Sequence, residues 1–161
     1  MIIKPVKLIC CFLVYGFVLT TMLFVVPMRS LAACNIINGQ AYGDCGGVTI
    51  NQGGKGYLFV TNTVFESGII SGATVRRGGA LELSGVSDGN IVVEKGGKLT
   101  VTGVVNGNII NKGGHIAVEG SVHRIKTTGG TVVISGIVDQ VTGNGPITYS
   151  KGAVVGGIPR N

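Results

Sequence analysis

The chain has 161 residues, of which 29 are glycine, none is tryptophan and 12% are charged. Its formal net charge of +6 and mean hydropathy of +0.50 are both weighted by one end. Three of the 13 cations, Lys4, Lys7 and Arg29, lie in residues 1–33, which leaves ten against seven acids, a formal +3 that makes no case for a nucleic-acid partner.

Residues 1–33 open with Lys4 and Lys7, continue as an apolar run from Leu8 to Val26, and finish with Pro27 and the small-residue stretch SLAA. This is the layout of a secretory signal peptide. The run is also long enough to cross a bilayer as a helix, so an uncleaved membrane anchor is the competing reading. Pro27 and SLAA favour cleavage. Either way the basic N-terminus stays in the cytoplasm and the following residues are exported, to the periplasm, the cell surface or the medium.

Cys34 and Cys45 follow, separated by NIINGQAYGD. In an oxidising compartment two such cysteines most simply pair, closing a short loop in an N-terminal cap over 34–47. Leu31-Ala32-Ala33-Cys34 also resembles the lipobox of bacterial lipoproteins, whose cysteine is acylated. Arg29 and Ser30 interrupt the apolar run ahead of that box, and acylation would leave Cys45 alone. The two fates of Cys34 exclude one another, and the disulfide is the expectation.

From residue 48 the chain repeats itself. GGALELSG (78–85), GGKLTVTG (96–103), GGHIAVEG (113–120) and GGTVVISG (129–136) follow one another at spacings of 18, 17 and 16 residues. A degenerate unit follows at 143–152, and a looser one begins at Gly53-Gly54. Within the units Leu81 and Leu83, Leu99 and Val101, Ile116 and Val118, and Val132 and Ile134 alternate with polar or small residues. Period-two alternation reads as half-buried strand, and no segment after residue 34 carries a helical period. A second strand is expected ahead of each glycine pair, from Ile91, Ile109, Ile125 and Val141.

Recurrence in register separates a solenoid from a sandwich, whose strands differ in length and connection. The prediction is therefore all-β: a single-domain parallel β-solenoid of about five to six coils, 15–18 residues each, over 48–157, with a tail at 158–161. Coils stack at ~4.8 Å, three short faces make one coil, and glycines mark the corners by sharp turns or positive φ. The pattern GNIxxxGGxLxVxGxVxGNI, over about residues 71–142, resembles the coil repeats of bactofilin-type β-helices and of autotransporter passengers. That resemblance implies the solenoid fold and raises self-association. The chain departs from bactofilins in its signal peptide and from autotransporters in offering no barrel after Asn144. The strict six-residue period of hexapeptide acyltransferases is absent.

Few residues invite chemistry. Arg77, Lys95 and Lys112 each precede a glycine pair and would form a stripe for an anionic polymer such as an acidic envelope glycan, or simply a solvated corner. His115 and His123 lack the further ligands that a metal site needs, so neither a metal nor another cofactor is expected. Glu82, Asp88, Glu94, Glu119 and Asp139 share no column, whereas glycoside cleavage needs two facing acids. With no loop insertions to wall a pocket, no catalytic residue is assigned. GGKG (53–56) and GNGP (143–146) lack the Lys-Ser/Thr and helix of a phosphate loop. Two ends read as managed, by Cys34–Cys45 with the aromatic stretch Tyr57 to Phe65 and by the proline of GGIPRN. The expected function is an exported, non-enzymatic binding, adhesion or structural module of the envelope. The alternatives are a subunit that stacks end to end and a lipoprotein acylated at Cys34. The expected partner is an anionic glycan or a protein, with membrane contact only through an uncleaved signal or a lipid.

Overall fold

Short alternating segments become strands, and glycine pairs become the corners between them. The computed structural model describes residues 34–37, 40–42, 45, 48–51 and 56–160; the signal peptide expected over 1–33 lies outside the described residues, as do Gly53 and Gly54. The described chain opens with β1 (Cys34–Ile37), β2 (Gln40–Tyr42), β3 (Val48–Asn51) and β4 (Tyr57–Val60). Two three-stranded coils follow: β5 (Thr63–Glu66), β6 (Ile69–Ile70) and β7 (Gly72–Val75), then β8 (Ala80–Leu83), β9 (Val86–Ser87) and β10 (Ile91–Glu94). Afterwards the second and third segments merge, giving β11 (Lys98–Val101) with β12 (Val104–Lys112), β13 (His115–Val118) with β14 (Ser121–Thr127), and β15 (Thr131–Ile134) with β16 (Ile137–Gly143). β17 (Ile147–Tyr149), β18 (Val154–Val155) and β19 (Ile158–Pro159) complete it, and the described residues contain no helix.

Equivalent strands of successive coils pair in parallel, which makes the fold a β-solenoid of about six coils. The first face is β1, β5, β8, β11, β13, β15 and β17. The second is short, formed by β6, β9 and the leading residues of β12, β14 and β16, then β18. The third is β4, β7, β10 and the trailing parts of β12, β14 and β16.

Register turns alternation into columns. On the first face Val64, Leu81, Leu99, Ile116 and Val132 stack in one inward column, and Ile36, Glu66, Leu83, Val101, Val118 and Ile134 in the next. Every one of these side chains is buried, while Glu82 and Val133 between them are exposed. Ile91, Ile109 and Ile125 stack on the third face at zero exposure. Each such aliphatic contributes roughly 1.5–3 kcal/mol by leaving water, so a thin core repeated coil after coil holds the chain without tryptophan.

The glycines do two different jobs. Gly78, Gly96 and Gly113 have φ of 82°, 80° and 102°, as a corner residue with positive φ requires. Gly85, Gly103, Gly120 and Gly136 do not have positive φ and meet the other of the two expectations for corner glycines, the sharp turn. They close corners by proximity instead: a Cβ on Gly103 would run into the Gly85 carbonyl oxygen one coil below, and one on Gly120 into that of Gly103. The same corner is tied by Thr102 N and Gly103 N, which both donate to Leu83 O at 2.9 and 3.0 Å. Gly103→Ala is therefore expected to destabilise by about 2 kcal/mol or more, an overpacking cost, whereas Gly157→Ala, with nothing near its Cβ, pays only for its positive φ. Urea melts of the two variants check this.

At the N-terminal end, β2 adds antiparallel to β1 and β3 antiparallel to β4, while β1 itself pairs in parallel with β5. The stretch Tyr57 to Phe65, expected as a cap, is instead part of the coils, since β4 and β5 pair in parallel with β7 and β8. Its aromatics serve the outer surface: Tyr57 and Phe59 rings lie 5.2 Å apart, and Arg76 sits over Phe59. Cys34 and Cys45 are joined, with Cα atoms 4.7 Å apart and Cys34 buried in the core. Closing a loop this short is worth about 2–3 kcal/mol in the chain-entropy account. At the other end β19 folds back antiparallel on β18, so Ile158–Pro159 is a closing strand, not a loose tail.

Candidate functional site

Because the coils are short and nearly free of insertions, any site must be assembled from outward columns and corners. The corner between the third and first faces is where cations gather. Arg76 and Arg77, Lys95 and Lys98, Lys112, and Lys126 are all exposed on or beside it, from four successive coils, with Glu94 as the one acid among them. Glu82, Asp88, Glu119 and Asp139 lie on other faces and corners. The corner between the second and third faces is mixed instead. There Asn106 Nδ2 donates to Asp88 Oδ1 (3.0 Å), His123 Nδ1 meets Asp139 Oδ2 (3.1 Å), and Arg124 Nε donates to Gln140 Oε1 (2.7 Å). The His123–Asp139 pair is half exposed on both sides and contributes at most about 1 kcal/mol.

Within the basic corner is an open groove of about 550 Å³ lined by Arg77, Lys95, Gly96, Gly113 and His115. The glycines make it. Gly96 lies against the Arg77 side chain and Gly113 against that of Lys95, so neither fills the space above the cation of the preceding coil. His115 Nδ1 is held by Thr131 Oγ1 at 2.6 Å, which steadies the ring and leaves Nε2 without a hydrogen bond among the described residues. Neither Arg77 nor Lys95 has a carboxylate partner among the described residues.

Of the three residues expected to form a stripe, Arg77 and Lys95 come together on this groove. Lys112 does not share it: it stands in register with Glu94 on the next column. The reason is a shortened corner. Gly79 N donates to Arg76 O and Gly97 N to Glu94 O, both at 2.9 Å, in the two earlier corners. In the next corner one residue is missing, and the side chain of Asn111 supplies the acceptor: Gly114 N donates to Asn111 Oδ1 at 2.8 Å and Gly113 N at 3.2 Å. A short polar side chain mimicking a backbone turn is a standard use of Asn. Asn111 is fully buried in the inward column of Val75 and Val93, and it positions the groove floor. Its signal was present in the sequence, as Asn where the preceding coil has Val93.

Glu66 is the second residue missed. It occupies the inward column between Ile36 and Leu83 at zero exposure. Oε1 accepts from Gly68 N at 2.7 Å, while Oε2 is buried without a partner. Burial pushes its pKa up to about 7, opposed in part by the Gly68 N–H. It lies at the N-terminal end of the solenoid, away from the basic groove in sequence, and reads as a property of the core.

One other surface is distinctive. The outward column of the second face places Ile69 in register with Val86, Val86 with Val104, and Ile137 with Val154, and Ile69, Val104 and Ile137 are exposed. Among the described residues no cluster of three or more His, Cys, Asp or Glu side chains is arranged to hold a metal ion. Comparison with protein-family models, curated proteins and solved structures finds no match, so of the resemblance to bactofilin-type and passenger coils only the β-solenoid fold that it implied is shown.

Proposed function

We propose that this chain is an exported, non-enzymatic β-solenoid that acts as a binding module of the bacterial envelope, with its basic corner as the contact surface. The observation that carries the reading is the segregation of charge: six exposed cations from four coils gather at one corner around a groove whose Arg77 and Lys95 carry no carboxylate partner among the described residues. A surface that kept lysine only for solubility would intersperse the signs. Export is supported by the signal-like layout of residues 1–33 and by the Cys34–Cys45 pair, which suits an oxidising compartment. The same bond leaves Cys34 without the free thiol that acylation needs. End-to-end stacking is disfavoured because antiparallel β2, β3 and β19 occupy three of the four sheet ends.

Cosedimentation of the purified protein with isolated envelope material tests the proposal. The wild type is expected to pellet at low salt and to be released at high salt, because exposed charges are screened. Arg77→Glu combined with Lys95→Glu is expected to stay in the supernatant, with its melting temperature unchanged. Pelleting indifferent to salt and to the double substitution would remove the basic corner and direct attention to the aliphatic column of Ile69, Val104 and Ile137.

A further inference from the structure

The groove has a feature that a general polyanion site does not need: its cationic and hydrogen-bonding groups come one from each of three successive coils. Arg77 and Lys95 each stand three residues ahead of the paired Ala80 and Lys98, so they lie one coil, ~4.8 Å, apart along the solenoid axis. His115 begins β13 one coil further on, in register with Lys98 and therefore displaced sideways from Lys95. Gly96 and Gly113 keep the space between the steps free of side chains.

From this we infer that the groove takes an acidic polysaccharide carrying one carboxylate on every sugar ring, laid along the solenoid axis. The inference rests on the reading of the basic corner as a contact surface. A single pyranose ring advances a polysaccharide by a length similar to one coil, so two carboxylates one ring apart meet Arg77 and Lys95, with His115 beside them as a hydrogen-bonding group. The Arg77 fork matches a carboxylate through two parallel N–H···O bonds, Lys95 adds a point charge, and the exposed His115 supplies a third polar contact. Ring hydroxyls then lie over the glycine floor, where no side chain repels them. The spacing argues against an extended acidic peptide, whose same-face side chains recur every ~6.6 Å, two strand residues apart. It also argues against single-stranded nucleic acid. No Phe, Tyr or Trp lines the groove, so bases find no aromatic platform to stack on.

Calorimetric titration of the full-length protein at low salt tests the match with four probes: polygalacturonate (one carboxylate per ring), hyaluronan (one per two rings), inorganic polyphosphate and neutral dextran. At equal charge concentration polygalacturonate is expected to bind at least about tenfold more tightly than hyaluronan or polyphosphate, a difference of ~1.4 kcal/mol, and dextran not at all. Arg77→Gln and Lys95→Gln are each expected to abolish most of that preference, while Lys151→Gln, exposed between β17 and β18 and away from the basic corner, leaves it intact. All three are exposed positions, and thermal melts confirm that the variants remain folded. Equal binding of polygalacturonate, hyaluronan and polyphosphate would overturn the spacing match and leave the basic corner standing as an unselective surface. Failure of every polyanion to bind would overturn both.

Discussion

Val101→Asp is expected to destabilise the protein by at least about 4 kcal/mol, lowering the melting temperature by roughly 15 °C or more, while Thr100→Asp costs less than about 1 kcal/mol. The two positions are neighbours in β11 and differ only in the direction they face. Val101 has zero exposure and stacks between Leu83 and Val118. A carboxylate there has no partner and must either stay charged in an aliphatic column or hold its proton at a cost. Thr100 points outward between Glu82 and Ala117, where an aspartate remains hydrated and meets only the like charge of Glu82 across the strand. Thermal unfolding of both variants at neutral pH checks the assignment of inward and outward columns. Similar melting shifts for the pair would show that the columns are wrongly assigned.

The column that rejects aspartate at 101 nevertheless contains Glu66 two coils below, and this gives the second large effect. Glu66→Leu is expected to raise stability at pH 8 by about 3 kcal/mol, with little change at pH 4, because the folded protein holds this carboxyl's pKa near 7 against an ordinary 4.5. Between these two values the unfolded chain has released the proton that the folded one keeps, so the folded state binds more protons and stability falls as pH rises. The contribution is fully present below about pH 4.5 and lost through about pH 7. Charged or titrating neighbours do not offset it in register: β1 places Ile36 beside it and β8 places Leu83. Glu66→Gln retains the shape and removes the titration, so its stability should be flat across the window in which the wild type declines. Chemical denaturation from pH 4 to pH 8 measures the three curves. A wild type that follows the same pH course as Glu66→Gln would mean that Glu66 does not titrate in this range. Since Glu66 adjoins β1 and the disulfide, the wild-type loss at high pH should be felt first at the N-terminal end of the solenoid.

These two predictions divide along what could be read before folding. The contrast between Val101 and Thr100 was legible, because period-two alternation is a local property and its recurrence at 18, 17 and 16 residues already implied stacking. The pairing of Cys34 with Cys45 was legible for the same reason, as two cysteines in a short segment. Glu66 was not. It follows Val64 at the spacing of Leu83 after Leu81, but a lone acid in that place reads outward until β1 and β8 close over it on both sides.

The candidate site shows the same boundary. Sequence alone determined that the chain is a stack of short coils, which residues face its core, and that cations cluster before the glycine pairs. It could not decide which cations share a column. A spacing that shortens from 18 to 17 residues says that one residue has gone and not which corner lost it. The tertiary structure places the loss at 112–114, where the Asn111 side chain replaces a backbone acceptor, sends Lys112 opposite Glu94, and leaves His115 as the third member of the groove. Strand identity follows from local alternation, whereas register between coils follows from how each corner satisfies its backbone hydrogen bonds. Only the folded chain, with all three coils in contact, settles that.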